Sequence, residues 1–276
     1  MQTDQLVFSA SMLQDYVDCQ RRFELKYIRK QSWPSIPVEP ILELEDLIVR
    51  GRQFHLLAHQ FFAGVPLEAI YKAINDTILR EWFNRFVGFY DRKAWKQNLS
   101  EMKITSHLNQ HRLIAVYDLV VQTNEGRIAI FDWKTSLHPP NQELLRLKIQ
   151  SSIYPFILFE NLQSLFPSTA KSGDPALSMT YWYPAFPDTL ISFEYNQENH
   201  HENCESLQKL LDEIQDKIQN MQFHKTDKLK LCKYCQYRSL CDRGIIAGAR
   251  DDMAADSGSD EIMIDFDELP EIDAEI

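Results

Sequence analysis

Between Leu13 and Tyr27 apolar side chains recur at three- and four-residue steps (Leu13, Tyr16, Cys19, Phe23, Tyr27). That period predicts one amphipathic helix through about residue 28, with Ser11 as its N-cap. Three prolines within 31–40 predict a loop. A second helix over 42–62 places His55 and His59 one turn apart, and 67–90 reads as a further helix. Its Tyr71, Trp82, Phe83, Phe86, Phe89 and Tyr90 fall at core spacing. At Met102 the period changes to that of strands, giving 102–108, 111–122 and 127–135. The last two are joined by Thr123-Asn124-Glu125-Gly126, a hairpin turn signal. A helix over 141–162, strands over 177–183 and 189–195, and a helix over 198–222 complete the expected elements, and no internal repeat is visible.

Hydrophobic residues make up 44% of 276, enough to bury the core of one large domain. A net charge of −11 argues against a nucleic-acid partner until the charges are located. Residues 251–276 hold eleven acids and no Lys or Arg, so 29 acids face 29 bases in the rest of the chain. The body is neutral and the tail is acidic. Residues 247–260, rich in Ala, Gly, Ser and Asp, predict a disordered linker into that tail. No leader pattern precedes the first helix, and no apolar run approaches the roughly 20 residues of a spanning segment. The expectation is a soluble cytoplasmic protein with no membrane contact.

Three of the five cysteines form Cys232-x2-Cys235-x5-Cys241, and Cys19 stands alone near the N-terminus. Cys204 lies outside the pattern and reads as a plain thiol. Bunching at ligand spacing fits a reducing compartment better than a disulfide framework. If the four thiolates share one centre, the two ends of the chain must meet. Four cysteines can hold zinc or an iron–sulfur cluster. Structural zinc takes local Cys pairs, whereas one ligand here is remote, so the arrangement favours a [4Fe–4S] cluster acting as a staple.

Asp118 and Asp132 sit on the two predicted hairpin strands, where their carboxylates can converge on one side of a sheet. Hard divalent ions such as Mg²⁺ and Mn²⁺ choose oxygen ligands, polarise a phosphodiester and lower the pKa of an attacking water. Lys134 lies two residues beyond Asp132 and so shares its face. Asp132 also emerges from the apolar run Ile128-Ala129-Ile130-Phe131, where an acid needs a partner or an ion. His55 can add a nitrogen ligand, with His59 as its competitor. Gln150 and Tyr154 stand four apart on one helical face, positioned to orient Lys134 or touch a DNA strand.

Taken in order, His55, Asp118, Asp132-x-Lys134 and Gln150-x3-Tyr154 resemble the PD-(D/E)XK nuclease superfamily, in particular its RecB-like branch. The resemblance implies that His55, Asp118 and Asp132 hold Mg²⁺ or Mn²⁺, that Lys134 is catalytic, and that Gln150 and Tyr154 assist. The stretch from Ser11 through Cys19 to Arg22-Phe23, with the distant cysteine triplet, looks like the iron–sulfur subgroup of AddB-type and CRISPR-adaptation nucleases. The chain departs from that pattern at Gln20, Tyr117 and Pro155, the last of which should kink its helix. The implied fold is α+β: a restriction-endonuclease-like core with a central mixed sheet flanked by helices, a helical insertion and an iron–sulfur closure. Residues 1–246 would form the nuclease domain and 247–276 the acidic tail. The implied activity is metal-dependent hydrolysis of DNA, preferentially at single-stranded ends, in repair, recombination or CRISPR adaptation. The alternative is a non-catalytic DNA-binding or scaffold subunit. The tail reads as a solubilising segment, or, since its Asp265-Phe266-Asp267-Glu268-Leu269-Pro270 resembles the acidic tip of single-strand-binding proteins, as a contact for the protein's own DNA channel or for a repair partner's pocket.

Overall fold

The computed structural model describes residues 6–32, 38–39, 41–90, 95–138, 141–167 and 176–249. The acidic tail and most of the predicted linker lie outside this set. A short strand β1 (Val7–Phe8) leads into α1 (Ala10–Asp18). Its N-cap is Ser9, whose hydroxyl accepts from the Met12 N–H at 3.2 Å, and not the expected Ser11, which bonds the Ser9 hydroxyl at 3.0 Å. The single predicted helix is also interrupted. Cys19 adopts an extended conformation (φ −162°, ψ 107°), after which the chain resumes as α2 (Gln20–Phe23) and a π-helical turn over Glu24–Ile28. Cys19 therefore stands at a break, where its side chain is released from the apolar stripe. Arg22 closes the break by bonding Asp15 at 2.8 Å and Asp18 at 2.6 Å.

Strand β2 (Val38–Glu39) precedes the long helix α3 (Ile41–Phe62). The expected helix over 67–90 is two helices, α4 (Leu67–Ala73) and α5 (Thr77–Tyr90). Asp76 separates them by capping α5, its carboxylate accepting from the Leu79 N–H at 2.8 Å. Six strands form the main sheet: β1 joins β3 (Trp95–Leu108), β4 (His111–Thr123), β5 (Ile128–Trp133), β6 (Leu177–Trp182) and β7 (Leu190–Tyr195). β4 pairs antiparallel with β3 along one edge; its other edge takes β1 in parallel and β5 antiparallel. β5 and β6 are parallel and β6 and β7 antiparallel, so the sheet is mixed. The predicted helix over 141–162 divides at Lys148 into α6 (Gln142–Leu147) and α7 (Ile149–Leu165), and α7 runs through Pro155. Then come α8 (Gln197–Asn220), α9 (Leu229–Lys233), a 3-10 turn over Arg238–Cys241, and β8 (Gly248–Ala249). β8 pairs in parallel with β2, which gives the first residues of the expected linker a fixed place.

Each face of the sheet covers its own core. On one face Leu13 and Tyr16 of α1, Ile153 and Phe156 of α7, and Leu207 and Leu211 of α8 pack on Leu113, Tyr117, Ile130 and Met179. On the other, Phe54 of α3 and Trp82, Phe83 and Phe86 of α5 pack on Leu119, Val121, Trp133 and Trp182. The second core is aromatic, with Phe86 set edge-on to Trp133 at 5.3 Å and 85°. The aromatic residues of 67–90 are thus core, as their spacing predicts; each large buried side chain contributes about 1.5–3 kcal/mol by transfer from water. Among the described residues no helix is long and apolar enough to cross a membrane.

Candidate active site

The site begins with an irregularity in β4. Regular alternation would keep residues 115, 117, 119 and 121 on one face. Instead Ala115 and Tyr117 lie in the α1/α7/α8 core, while Leu119 and Val121 lie in the α3/α5 core. The side-chain phase flips at Asp118. On β3 the residue opposite, between the pairs Ser100↔Leu119 and Met102↔Tyr117, is Glu101. Its φ of +50° is left-handed, a conformation that costs a non-glycine residue about 1 kcal/mol and recurs at functional sites. The paired break turns both acids toward α3.

There they meet His55. Its Nδ1 lies 3.1 Å from Asp118 Oδ1, and one ligand atom each from His55, Glu101 and Asp118 falls within 4.8 Å of the others. One imidazole and two carboxylates suit a hard or borderline divalent ion, so the donor set fits the metal that the sequence implies. Glu101 is exposed at its surface, but partial loss of hydration beside α3 raises its carboxyl above the ordinary carboxylate value, and the charge of Asp118 raises it further while His55 opposes. Asp118 Oδ2 accepts from the Trp133 backbone N–H at 2.7 Å, which fixes the second oxygen. His59 is not part of this group: its Nδ1 is 3.1 Å from the Ser100 hydroxyl. Glu101 is the residue that the sequence reading missed.

Asp132 is one step beyond the last paired residues, Leu119 and Phe131, and so lies opposite Asp118. Buried Asp132 receives the Gln150 amide on Oδ1 at 2.6 Å, and its Oδ2 is 3.1 Å from Lys134 Nζ. Lys134 is 5% exposed, yet its N–H is held by the Trp182 carbonyl at 2.9 Å, which continues the β5–β6 ladder and fixes its side chain beside Asp132. Gln150 stands in the first turn of α7. Tyr154, one turn on, has its ring 5.2 Å from that of Tyr117, whose hydroxyl donates to the Tyr154 carbonyl at 2.9 Å. The predicted pair is thus divided between the acid and the core.

The segment after Cys19 meets the segment that leads to the cysteine triplet. The Arg21 N–H donates to the His224 carbonyl at 3.0 Å, and Phe23 packs on Phe223. Cys19, Cys232, Cys235 and Cys241 line one pocket with Arg22, Lys225 and Arg243. Burial pushes the Cys235 thiol up to about 11, against the Tyr237 N–H and Arg22; Cys232 and Cys241 are also raised, chiefly by burial. Among the described residues no three of these sulfurs come within 4.8 Å of one another. A single tetrahedral zinc with bonds of about 2.3 Å would hold its sulfurs about 3.8 Å apart. The pocket gathers the four thiols without arranging them around one ion.

No curated protein matches the chain. Among solved structures, SSO0001 aligns over 86% of this chain and 86% of its own, at 14% identity and a TM-score of 0.42. A protein of Eubacterium rectale described as a candidate exonuclease aligns over 85% of this chain and 87% of its own, at 9% identity and a TM-score of 0.53, a likeness of fold alone. The profile of the PD-(D/E)XK nuclease superfamily matches residues 7–242, the span that brings the strand acids, Lys134 and the cysteine pocket together. Over that span the chain belongs to the PD-(D/E)XK nuclease superfamily, whose members hydrolyse phosphodiester bonds.

Proposed function

We propose that the protein is a metal-dependent deoxyribonuclease of the RecB-like branch, acting as an exonuclease on single-stranded DNA ends in cytoplasmic DNA repair, recombination or CRISPR adaptation. The observation that supports this most is that two groups are built around the facing residues Asp118 of β4 and Asp132 of β5: His55–Glu101–Asp118, and Asp132–Lys134–Gln150. His55, Glu101, Asp118 and Asp132 would hold Mg²⁺ or Mn²⁺. A divalent ion bound there supplies Lewis-acid polarisation of the phosphate and a more acidic water. Gln150 fixes one oxygen of Asp132, which leaves the other to Lys134. The ammonium of Lys134 is then poised to orient the attacking water and to offset charge developing on the phosphate oxygens. Tyr154 supports this arrangement through Tyr117 and the α7 backbone.

In this reading residues 1–246 are the nuclease domain and 247–276 an acidic tail that contacts a repair protein. Cys19, Cys232, Cys235 and Cys241 would hold a [4Fe–4S] cluster. What supports this reading is that the four thiols line one pocket together with Arg22, Lys225 and Arg243, cations that suit an anionic centre. Its contribution would be structural, tying α1 to the C-terminal segment. Cleavage of labelled single- and double-stranded DNA with Mg²⁺ or Mn²⁺ tests the activity. Lys134→Met and Asp132→Asn should fold and lose cleavage. Wild-type rates in either variant at matched metal content would overturn the assignment.

A further inference from the structure

The N-terminus of α7 is capped from another helix. Its N-cap residue, Lys148, makes no side-chain capping bond, so the N–H groups of the first turn need outside partners. Gln14 of α1 supplies one: its Oε1 accepts from the Ile149 N–H at 3.1 Å. The next residue is Gln150, whose amide donates to Asp132. Gln14 is itself oriented from the other side. Its Nε2 donates to Asp18 Oδ1 at 3.0 Å, and Asp18 Oδ2 receives Arg22, which lines the cysteine pocket. Asp18 is the last residue of α1, immediately before Cys19. One run of hydrogen bonds therefore leads from the cysteine pocket through Arg22, Asp18 and Gln14 to the turn that holds Gln150 on Asp132.

We propose that Gln14 is a positioning residue for Asp132: it sets the first turn of α7, and through it the Gln150–Asp132 hydrogen bond, so that α1 ties the cysteine pocket to the reacting acids. This rests on the assignment of Asp132 and Gln150 to the nuclease site. Glutamine is suited to the position because it accepts from Ile149 and donates to Asp18 at once, which neither Glu nor Leu can do.

A double-mutant cycle tests the proposal, with cleavage of single-stranded DNA in Mn²⁺, thermal melts and hydrogen exchange at the Ile149 amide as readouts. Gln14→Met keeps the length of the side chain and removes both hydrogen bonds. It should lower kcat by about tenfold with little change in KM, because a misplaced group costs turnover more than binding. Its Ile149 amide should exchange faster. Gln150→Leu should lose at least as much turnover, and the double variant should be no slower than Gln150→Leu, because the two substitutions break one chain of contacts. Losses that multiply would overturn the proposal, as would an unchanged Ile149 exchange rate in Gln14→Met. A loss in Gln150→Leu with none in Gln14→Met would overturn this proposal alone, whereas wild-type turnover in Gln150→Leu would overturn the reading of the site itself. If Gln14→Met does not fold, Gln14→Ser carries the cycle. Its side chain is too short to reach Ile149, so exposed exchange and a similar loss of turnover are expected, and exposed exchange with full turnover would refute the link.

Discussion

Replacing Glu101 by Gln should raise the stability of the metal-free protein while weakening its hold on a divalent ion. The Glu101 and Asp118 ligand atoms lie within 4.8 Å of each other. At that separation two unit charges repel by about 0.9 kcal/mol in water and about 3.5 kcal/mol at an effective dielectric of 20. Glu101 is solvent-exposed, so screening favours the lower figure, and attraction to His55 offsets part of it. A gain of up to about 1 kcal/mol follows, or a rise of about 2–4 °C in Tm for a domain of this size. Loss of one carboxylate from a divalent site acts the other way and should raise the Kd for Mn²⁺ by about tenfold or more, since about 1.4 kcal/mol is a factor of ten. Differential scanning calorimetry in chelator and titration calorimetry with Mn²⁺ read the two effects separately. An unchanged Mn²⁺ affinity would refute Glu101 as a ligand. A fall in the metal-free Tm would show that its charge is paired with His55 more strongly than Asp118 repels it.

Three further outcomes are expected. Protein purified without oxygen should be brown and contain iron and sulfide, and Cys19→Ser should lose both, together with up to about 5 kcal/mol of crosslink stabilisation; a colourless, zinc-loaded and active wild type would refute the cluster. Asp76→Ala removes the cap of α5 and the 3.0 Å pair with Arg50, at a cost of about 1–2 kcal/mol near neutral pH. Burial raises the Asp76 carboxyl, but the Leu79 N–H and Arg50 bring it below its ordinary 3.8. Its stabilisation is therefore present above pH 3.8 and lost as pH falls through the depressed value, so urea melts of the two proteins should converge in strong acid; a gap that persists would refute the pairing. Deleting residues 251–276 takes the net charge from −11 to 0 and should tighten DNA binding with a steeper salt dependence; an unchanged affinity and slope would reject competition between tail and phosphates.

The parts of the fold that were legible in the sequence are those whose apolar residues keep one period from end to end. α3, α8, β5, β6 and β7 were bounded within about two residues, because each buries a continuous stripe or face. Breaks inside a period were harder to see. Cys19 interrupts a helix without disturbing the apolar spacing, since α2 and the π-helical turn keep Phe23 and Tyr27 toward the same core. The division at Asp76 did carry a signal, an Asp just before Thr77, but the aromatic spacing of α4 and α5 outweighed it. The first half of β3 was invisible because Lys96, Gln97 and Asn98 are exposed on an edge strand and show no apolar alternation.

The candidate site lies where alternation fails. In a regular antiparallel pair Asp118 and Asp132, directly opposite, would share one face and one set of neighbours. They would then repel each other over the α1/α7 core. The phase flip at Glu101 and Asp118 sends Asp118 to His55 on α3 and leaves Asp132 to Gln150 on α7. Each acid is thus steadied by a different helix, His55 of α3 for Asp118 and Gln150 of α7 for Asp132, while both stay at the same end of β4 and β5. The Trp133 N–H, which turns to Asp118 Oδ2 at 2.7 Å, is the seam between the two halves. Pattern reading assigns residues to faces by assuming that the period holds. It could therefore find Asp132 and Lys134, which obey the period of β5, but not Glu101, whose place in the site depends on β3 and β4 breaking theirs together.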